Sequence, residues 1–493
     1  MQQFKIFTVV LCLFLSTDTI AQKRYDQKWL FDEYSLMSFT DTSVVFSSVT
    51  PPVHLGPGPT TSSTCDRNGN LLFYTSGCFI ANKLHRIMIN GDSTNADGMY
   101  PSPCHVAGSF YAYQSNITLP YPGDTSKYIV FNLTLEDALL PDGYLQPKHL
   151  YYHIVDMTKD GSLGAVVEKK QIAVADYLAR GSLTALVSDD LQKAWVVVPQ
   201  FNTNCYYIVP VTSDGVGIPW LQCIGSAYDG SDDSGGQAVF SPDKTKYARI
   251  ESKNQLVCMR FDTATATFST AEELPYQTDY NYFHGVAFSA NSRFLYAMAD
   301  TKLYQFDTDA PNVLASKILV GEIDFNIGPG TGGGSLCKLA PDGKIYIPPA
   351  NSHHWISSIQ RPNCPGTLCD FRQHNVYLPN WNYTGINNQP SFRVFEQQYN
   401  CDSVSSTEPL LPHERPVAAV FPNPNQGRFE LVLPDFSGGR LSCFDLAGRS
   451  VFERNIPNGV SRFQIEENIP SGAYFVRFTS VHGWVNTMRM VVE

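Results

Sequence analysis

A short pattern returns along the middle of the chain at intervals of about 50 residues, and that period limits the fold more than any other feature. Its clearest copy is LAPDGKIYIPP, residues 339–349. Val187-Ser188-Asp189-Asp190 leads in the same way to KAWVVV, Phe240-Ser241-Pro242-Asp243 to KYARI, and Phe288-Ser289-Ala290-Asn291 to RFLYAM. Cys65-Asp66-Arg67-Asn68-Gly69 leads to NLLFYTSG. Each copy has a short apolar run, a cluster of Pro, Asp, Asn or Gly that accepts tight-turn dihedrals, and an alternating β-branched and aromatic run. A third strand-like run follows, as at 204–211, 255–262 and 302–307, and then a more polar fourth, as at 316–320. Four antiparallel strands in about 50 residues is the unit of a β-propeller blade. Asp342, in the clearest copy, is then a hairpin-turn residue and not part of an active-site loop.

A further copy with a longer hairpin loop is expected through residues 110–113, 128–131 and 150–156, giving six repeats between about Gly56 and Pro379. Terminal runs at 43–47 and 390–395 either complete a seventh blade or close a ring of six, and seven is the expectation. Closure of the ring removes free sheet edges, so the two ends should pair.

Length and composition agree with an all-β reading. A chain of 493 residues exceeds one ordinary core. Charged residues make up 16% and aromatics 13%, with 35 Gly and 32 Pro, the balance of a turn-rich β protein. The net charge of −11 is broken by no Lys/Arg cluster, which argues against nucleic acid and anionic membrane surfaces as partners.

Residues 1–21 read as an export signal: Lys5 begins it, 6–15 are apolar, and Thr19-Ile20-Ala21 supplies small residues for cleavage. The apolar run is too short to span a bilayer, and no other transmembrane segment is expected. Twelve cysteines, one of them inside the signal, leave an odd number in an exported chain, so disulfides and at least one unpaired thiol are expected. Cys364 with Cys369 is the nearest pair, followed by Cys65 with Cys78 and Cys205 with Cys223. Zinc is disfavoured because no C-x-x-C spacing occurs.

Residues 401–416 are polar, Pro-containing and aperiodic, as in a linker. Beyond them the β pattern restarts: VAAVFPNPNQGRFELVLP, then LSCFDLAGRSVFERNI turning at Ala447-Gly448, then SGAYFVRFTS and TMRMVVE. That is the size and strand density of a small sandwich. The expected organisation is 1–21 signal peptide, 22–400 propeller, 401–416 linker and 417–493 sandwich.

Two resemblances follow from these residues. The order SSTCDRNGNLLFYTSG, HRIMING, LYYHIVDM, FSPDK, HGVAFSANSRFLYAM, LYQFD, LAPDGKIYIPP and RPNCPGTLCDF resembles exported propellers of Gram-negative bacteria with a type IX secretion system. It implies fold and location but no activity. In the tail, Pro422, Asn423, Pro424, Gly427, Phe429, Asp445, Gly448, Arg449, Gly472, Tyr474 and Val476-Arg477 resemble the type A C-terminal sorting domain of that system, with Arg489 where the family often has Lys. This second resemblance implies contact with the type IX machinery, passage across the outer membrane, removal of the domain, and release or attachment at the cell surface.

Catalytic and ligand-binding constellations are weaker. Asp233-Ser234-Gly235-Gly236 has the look of a serine protease nucleophile loop, but it leads straight into QAVFSPD, the start of a blade, and no Ala-Ala-His-Cys element precedes it. The Gly-rich run at 326–335 lacks the Gly-Lys-Ser/Thr ending of a phosphate cradle. Asp229, Asp232 and Asp233 form the best acidic loop, which keeps Ca²⁺ open as a cofactor although the spacing is not that of an EF-hand. His353 and His354 should point to opposite faces of a strand. Trp220, Trp355 and Trp381 are candidates for a sugar-stacking surface. The sequence therefore points to a secreted or surface propeller acting as a binding or scaffold module for a protein or glycan met at a channel face. An extracellular hydrolase or lyase acting on polysaccharide or peptide is the alternative.

Overall fold

The structure is a computed structural model describing residues 23–31, 34–40, 43–49, 60–95, 104, 112–134, 146–227, 236–251, 255–275, 284–299, 301–323, 335–349, 353–382, 384–393, 401, 418–433, 438–457, 460, 462–480 and 485–493. The signal segment and residues 402–417 lie outside the described residues. No helix among the described residues is long and apolar enough to cross a membrane.

Seven antiparallel sheets stand around a ring. Blade 1 holds Thr60–Cys65, Leu71–Thr75 and Ile80–Asn82. Blade 2 holds Asn116–Pro120, Lys127–Thr134, His149–Asp156 and Ala165–Ala175. Blade 3 is built on Thr184–Val187, Ala194–Pro199, Cys205–Thr212 and Trp220–Cys223. Blade 4 runs through Gln237–Phe240, Lys246–Glu251, Gln255–Asp262 and Thr267–Glu273. Blade 5 follows with His284–Phe288, Phe294–Ala299, Lys302–Asp307 and Ile318–Glu322. Blade 6 has Lys338–Leu339, Ile345–Ile347, His353–Ile359 and Phe371–Asn382. Blade 7 comes from the N-terminus: Lys28–Leu30, Ser35–Phe39 and Val44–Ser48.

Consecutive blades touch through their inner strands, blade 6 meets blade 7, and blade 7 meets blade 1, so the circle is complete. The cores lie between neighbouring sheets. Leu186, Val197, Tyr247 and Phe268 fill the space between blades 3 and 4; Phe288, Leu295 and Ile250 fill that between blades 4 and 5; Trp29, Phe39, Tyr346 and Leu378 join blade 6 to blade 7. Alternation along each strand supplies one side chain to the core on either side, which is why fully buried strands such as Ala194–Pro199 are apolar throughout.

The hairpin turns share one hydrogen bond. A carboxylate or amide oxygen accepts from the backbone N–H two residues on: Asp66 from Asn68 (2.8 Å), Asp124 from Ser126 (2.9 Å), Asp190 from Gln192 (3.0 Å), Asp243 from Thr245 (3.1 Å), Asn291 from Arg293 (3.2 Å) and Asp342 from Lys344 (3.2 Å). This is the Asx turn, and Asn makes it as well as Asp. Asp342 is thus a turn residue, also accepting from the Tyr346 hydroxyl at 2.8 Å. In blade 2 the inner strand is Asn116–Pro120, not 110–113, and its hairpin is short, turning at Asp124.

Ring closure uses both ends of the propeller. Ile386–Asn387 lies parallel to Thr60–Thr61 of blade 1, and Arg393 donates to Asp26 Oδ1 at 3.3 Å from both Nε and Nη2, with both residues buried. The pairing segment therefore lies a few residues before the 390–395 run expected from sequence.

Of the expected disulfides, Cys205–Cys223 forms, across directly paired strands of blade 3. Two others are corrected. Cys364 bonds Cys401, leaving Cys369 a buried thiol, and Cys78 bonds Cys104, leaving Cys65 a buried thiol. Spacing favours near partners, whereas here the chain folds back to bring residues 26 and 37 positions apart together. Burial pushes the Cys369 thiol up to about 11 and the Cys65 thiol to about 12, so neither is a reactive thiolate near neutral pH. Non-reducing peptide mapping should recover the Cys364 and Cys401 peptides joined, with Cys369 alkylated only after denaturation. Replacing Cys364 by Ser should cost about 3 kcal/mol in a denaturant titration.

Candidate functional site

A propeller leaves the free edge of every inner strand pointing at its axis, and unpaired backbone groups there are costly unless something satisfies them. In this protein side-chain amides do so. Gln237 Oε1 accepts from Val286 N (2.9 Å) and Cys337 N (2.8 Å), and its Nε2 donates to Cys337 O (2.6 Å), tying blades 4, 5 and 6 together. Gln114 accepts from Ala238 N (2.7 Å) and donates to Ala238 O (3.0 Å), while its Nε2 also reaches Asn388 Oδ1 (3.2 Å). Asn388 Nδ2 donates to Asn116 O (2.8 Å) and Leu183 O (3.0 Å). Asn387 Oδ1 accepts from Ser63 N (2.8 Å), and Gln389 Nε2 donates to Ser63 O (2.6 Å). The run Asn387-Asn388-Gln389 is therefore a polar plug on the axis.

Beside the plug is a cavity of about 40 Å³ lined by Gln114, Thr184, Phe240, Phe288, Lys338 and Gln389. Lys338 Nζ donates to the Gln389 carbonyl. Burial lowers the Lys338 pKa to about 8, with the Asp26 carboxylate opposing the shift. Asp26 has its own pKa raised by burial, against the pull of Arg393 and Lys338. A second cavity, about 140 Å³, lies between blades 3 and 4 and is lined by Thr203, Tyr206, Ser226, Arg249, Glu251 and Glu273. There Glu251 Oε1 accepts from Ser182 Oγ at 2.9 Å and pairs with Arg249 Nε, whose guanidinium lies 5.8 Å from the Tyr206 ring. Glu273 accepts from Ser226 N at 3.1 Å.

Several residues singled out in the sequence are not part of either cavity. Asp229, Asp232, Asp233, Ser234 and Gly235 lie outside the described residues, as do 326–334 of the Gly-rich run. No group of three or more metal-ligating side chains occurs among the described residues. Trp355 and Trp381 do gather, around Tyr377 and His354: His354 stacks on Tyr377 at 5.1 Å, Trp381 lies 5.1 Å from His354, and Trp355 meets Tyr377 edge-on at 5.0 Å. Trp220 is elsewhere, on blade 3. Sequence reasoning missed Gln114, Gln237, Asn387, Asn388, Gln389 and Lys338. The available signal was an amide at the head of an apolar inner strand, as in GQAVF, and the unusual NNQ run.

The C-terminal unit is two sheets around its own core. Ala419–Phe421, Arg428–Val432 and Arg462–Glu466 form one; Gly439–Asp445, Ser450–Ile456, Gly472–Ser480 and Val485–Val492 form the other. Phe429, Leu441, Val476, Phe478 and Met490 are buried between them. The Pro422-Asn423-Pro424 loop is clasped to the last strand, Asn423 accepting from Val491 N and donating to Arg489 O, both at 2.8 Å. Gly427 has φ +80°, and a Cβ there would sit 2.3 Å from Glu467 O, so only glycine fits. Asp445 caps its hairpin, accepting from Ala447 N and Arg449 N at 2.9 Å each, with Gly448 at φ +79°. Tyr474 donates to Pro470 O at 2.7 Å, Gly472 opens the same strand, and Arg477 and Arg489 are exposed on the outer side of the sheet.

Replacing Gln237 by Ala leaves two buried N–H groups and one carbonyl unpaired, and at about 1 to 3 kcal/mol each the ring should lose roughly 3 kcal/mol or more. Urea titration against an exposed-site control, Lys83→Ala, measures this. A loss no larger than the control would mean the axis does not hold the blades together.

Comparison with known proteins adds the address. Residues 419–493 match the secretion system C-terminal sorting domain family. No curated protein matches the chain. Among solved structures, a functionally unknown protein from Desulfotomaculum acetoxidans is 12% identical, with 74% of this chain and 99% of that one covered and a TM-score of 0.38. The β-propeller domain of Cps50 (Swd1) from Myceliophteria thermophila is 12% identical over 66% of this chain and 94% of that one, TM-score 0.33. A luciferin-regenerating enzyme is 11% identical over 76% and 96%, also with TM-score 0.33. At such scores the fold assignment rests on the ring of sheets itself. Behind that β-propeller, the chain carries the C-terminal sorting domain by which cargo of the type IX secretion system is exported.

Proposed function

We propose that this protein is a binding or scaffold module, delivered to the cell surface or the medium by its sorting domain, which is removed in passage. One observation carries the binding reading: among the described residues the axial cavity is lined by three amides, two hydroxyls, two aromatic rings and one amine, without a carboxylate pair. Such a lining offers fixed donors and acceptors for recognition and lacks the paired acid and base that hydrolysis of a glycoside or peptide needs. The ligand class is a surface protein or a glycan, and the aromatic cluster around His354 is a suitable rim for either.

An extracellular hydrolase or lyase would draw on the second cavity, where Glu251 and Glu273 both line the wall. Glu251 is held by Arg249 and Ser182, and Glu273 by a backbone N–H, which suits fixed structural carboxylates better than a proton shuttle.

The test joins binding with turnover. The purified chain is applied to glycan and peptide arrays, and each bound compound is then incubated with it and assayed for new reducing ends or amines. Binding without products supports the module; products at a rate lost in Glu251→Gln overturn it in favour of the hydrolase. Delivery is tested separately: deleting 419–493 should leave the propeller folded in the periplasm, and its appearance in the medium would refute the sorting role.

A further inference from the structure

We propose that the outer face of the sorting domain's four-stranded sheet is a docking surface for an acidic protein, whose carboxylates pair with Arg477 and Arg489 and whose apolar side chains cover Phe444 and Phe475. This deepens the delivery reading above and rests on it.

The register of the sheet assembles the surface. Its strands lie in the order Ser450–Ile456, Gly439–Asp445, Gly472–Ser480 and Val485–Val492. Phe444 is paired with Ser450 on one side and with Phe475 on the other, and Phe475 is paired in turn with Arg489. Directly paired residues share a face, so these four side chains stand in one row across the sheet. Their chain neighbours Cys443, Val476 and Met490 point the other way, into the core. Two positions along from Phe475, Arg477 stands in the next row, between Ser442 and Thr487. Phe475 is 45% exposed, Arg477 and Arg489 are exposed, and Phe444 is half-buried beside them.

Charge identifies the partner. Residues 417–493 hold seven arginines, no lysine and seven acidic side chains, so the charges of the unit cancel. Five of the arginines are paired: Arg428 with Glu466, Arg440 with Glu453, Arg449 with Asp445, Arg454 with Glu467 and Arg462 with Glu430. Among the described residues the two without a carboxylate are Arg477 and Arg489, the two that flank Phe475. Glu453, the acid in the row of Arg477, is engaged by Ser442 and Arg440. A guanidinium left free in this way complements a carboxylate, which it meets with two parallel hydrogen bonds. Aromatic rings and arginines are also the side chains in which protein interfaces concentrate their binding energy. An anionic lipid surface is a poorer complement, because it selects an excess of cations over a whole segment and this unit has no excess. Exposed rings are an association hazard on a finished protein. On a domain removed in passage they need cover only in transit.

The full chain, made in a bacterium with a type IX system, tests the surface. Arg477→Glu together with Arg489→Glu should lower the amount in the medium at least about tenfold, because each buried carboxylate of the partner then faces a like charge. The chain should collect in the periplasm, with a melting temperature close to the parent's. Arg428→Gln with Arg462→Gln, which removes two exposed arginines from the other sheet, should leave export near the parental level, and Arg489→Lys should keep most of it. A photoreactive benzoylphenylalanine in place of Phe475 should form an adduct with a different protein, through a peptide rich in Asp or Glu, and the adduct should disappear on charge reversal. Should the charge-reversed chain fail to fold, the cross-link alone decides, with the same photoreactive residue at position 462 as its control. Export unchanged by charge reversal overturns the proposal. So does an adduct formed only with another copy of the chain, with lipopolysaccharide or with a peptide lacking acidic residues, and so does the absence of any adduct. None of these results alters what deletion of 419–493 does to export, so the delivery reading stands or falls separately.

Discussion

The free inner edges of the blades are the constraint around which this propeller is organised. Each inner strand has hydrogen-bonding groups directed at the axis, where neither a neighbouring strand in the same sheet nor bulk water is available to all of them. A side-chain amide is suited to the task because it has a donor and an acceptor a short distance apart, like the backbone itself. Gln237 shows the effect: three hydrogen bonds from one side chain join three blades. Asn387, Asn388 and Gln389 do the same for blades 1, 2 and 3 from a segment nearly at the end of the ring. Packing between sheets gives the blades their stability, but the amides fix how the inner strands are set against one another, and hence the shape of the cavity beside them.

What the sequence made visible follows from distance along the chain. The turns were legible because an Asx bond spans two residues and leaves its signature within a single hairpin; Asp66, Asp243 and Asp342 could be found by eye. The seventh blade was half legible, since residues 43–47 read as a strand without revealing their partner. The axis was not legible. Gln114 and Ala238 are separated by 124 positions, and Asn388 and Asn116 by 272, so no local pattern links them. The disulfides failed for the same reason. Cys205 and Cys223 are joined by a hairpin-like excursion and were found; Cys364 and Cys401 are joined only because the chain leaves blade 6, passes the axis and returns.

The two units of the chain differ in how their signature residues work. In the sorting domain the motif residues are chiefly those that build its loops: Asn423 clasps the last strand, Gly427 allows a close backbone approach, Asp445 and Gly448 shape a hairpin, and Phe429 fills the core. Such residues can be recognised from sequence because local geometry allows few alternatives. Exposed positions such as Arg477 and Arg489 are the ones free to meet a partner, and Arg in place of Lys keeps the charge there while changing the pattern of donors.

Closure also determines where a ligand can be accommodated. A propeller with an open axis could admit a chain or a large ring through its centre, but Asn387-Asn388-Gln389 occupies that space and leaves a small cavity beside it. Larger partners are then confined to the rims and to the grooves between blades, where the aromatic cluster of blade 6 and the Arg249-Glu251 cavity lie. The same residues that close the ring thus restrict its centre to small ligands. Lys338 is part of this arrangement: burial beside the plug disfavours its charge and lowers its pKa to about 8, and the Asp26 carboxylate opposes that shift.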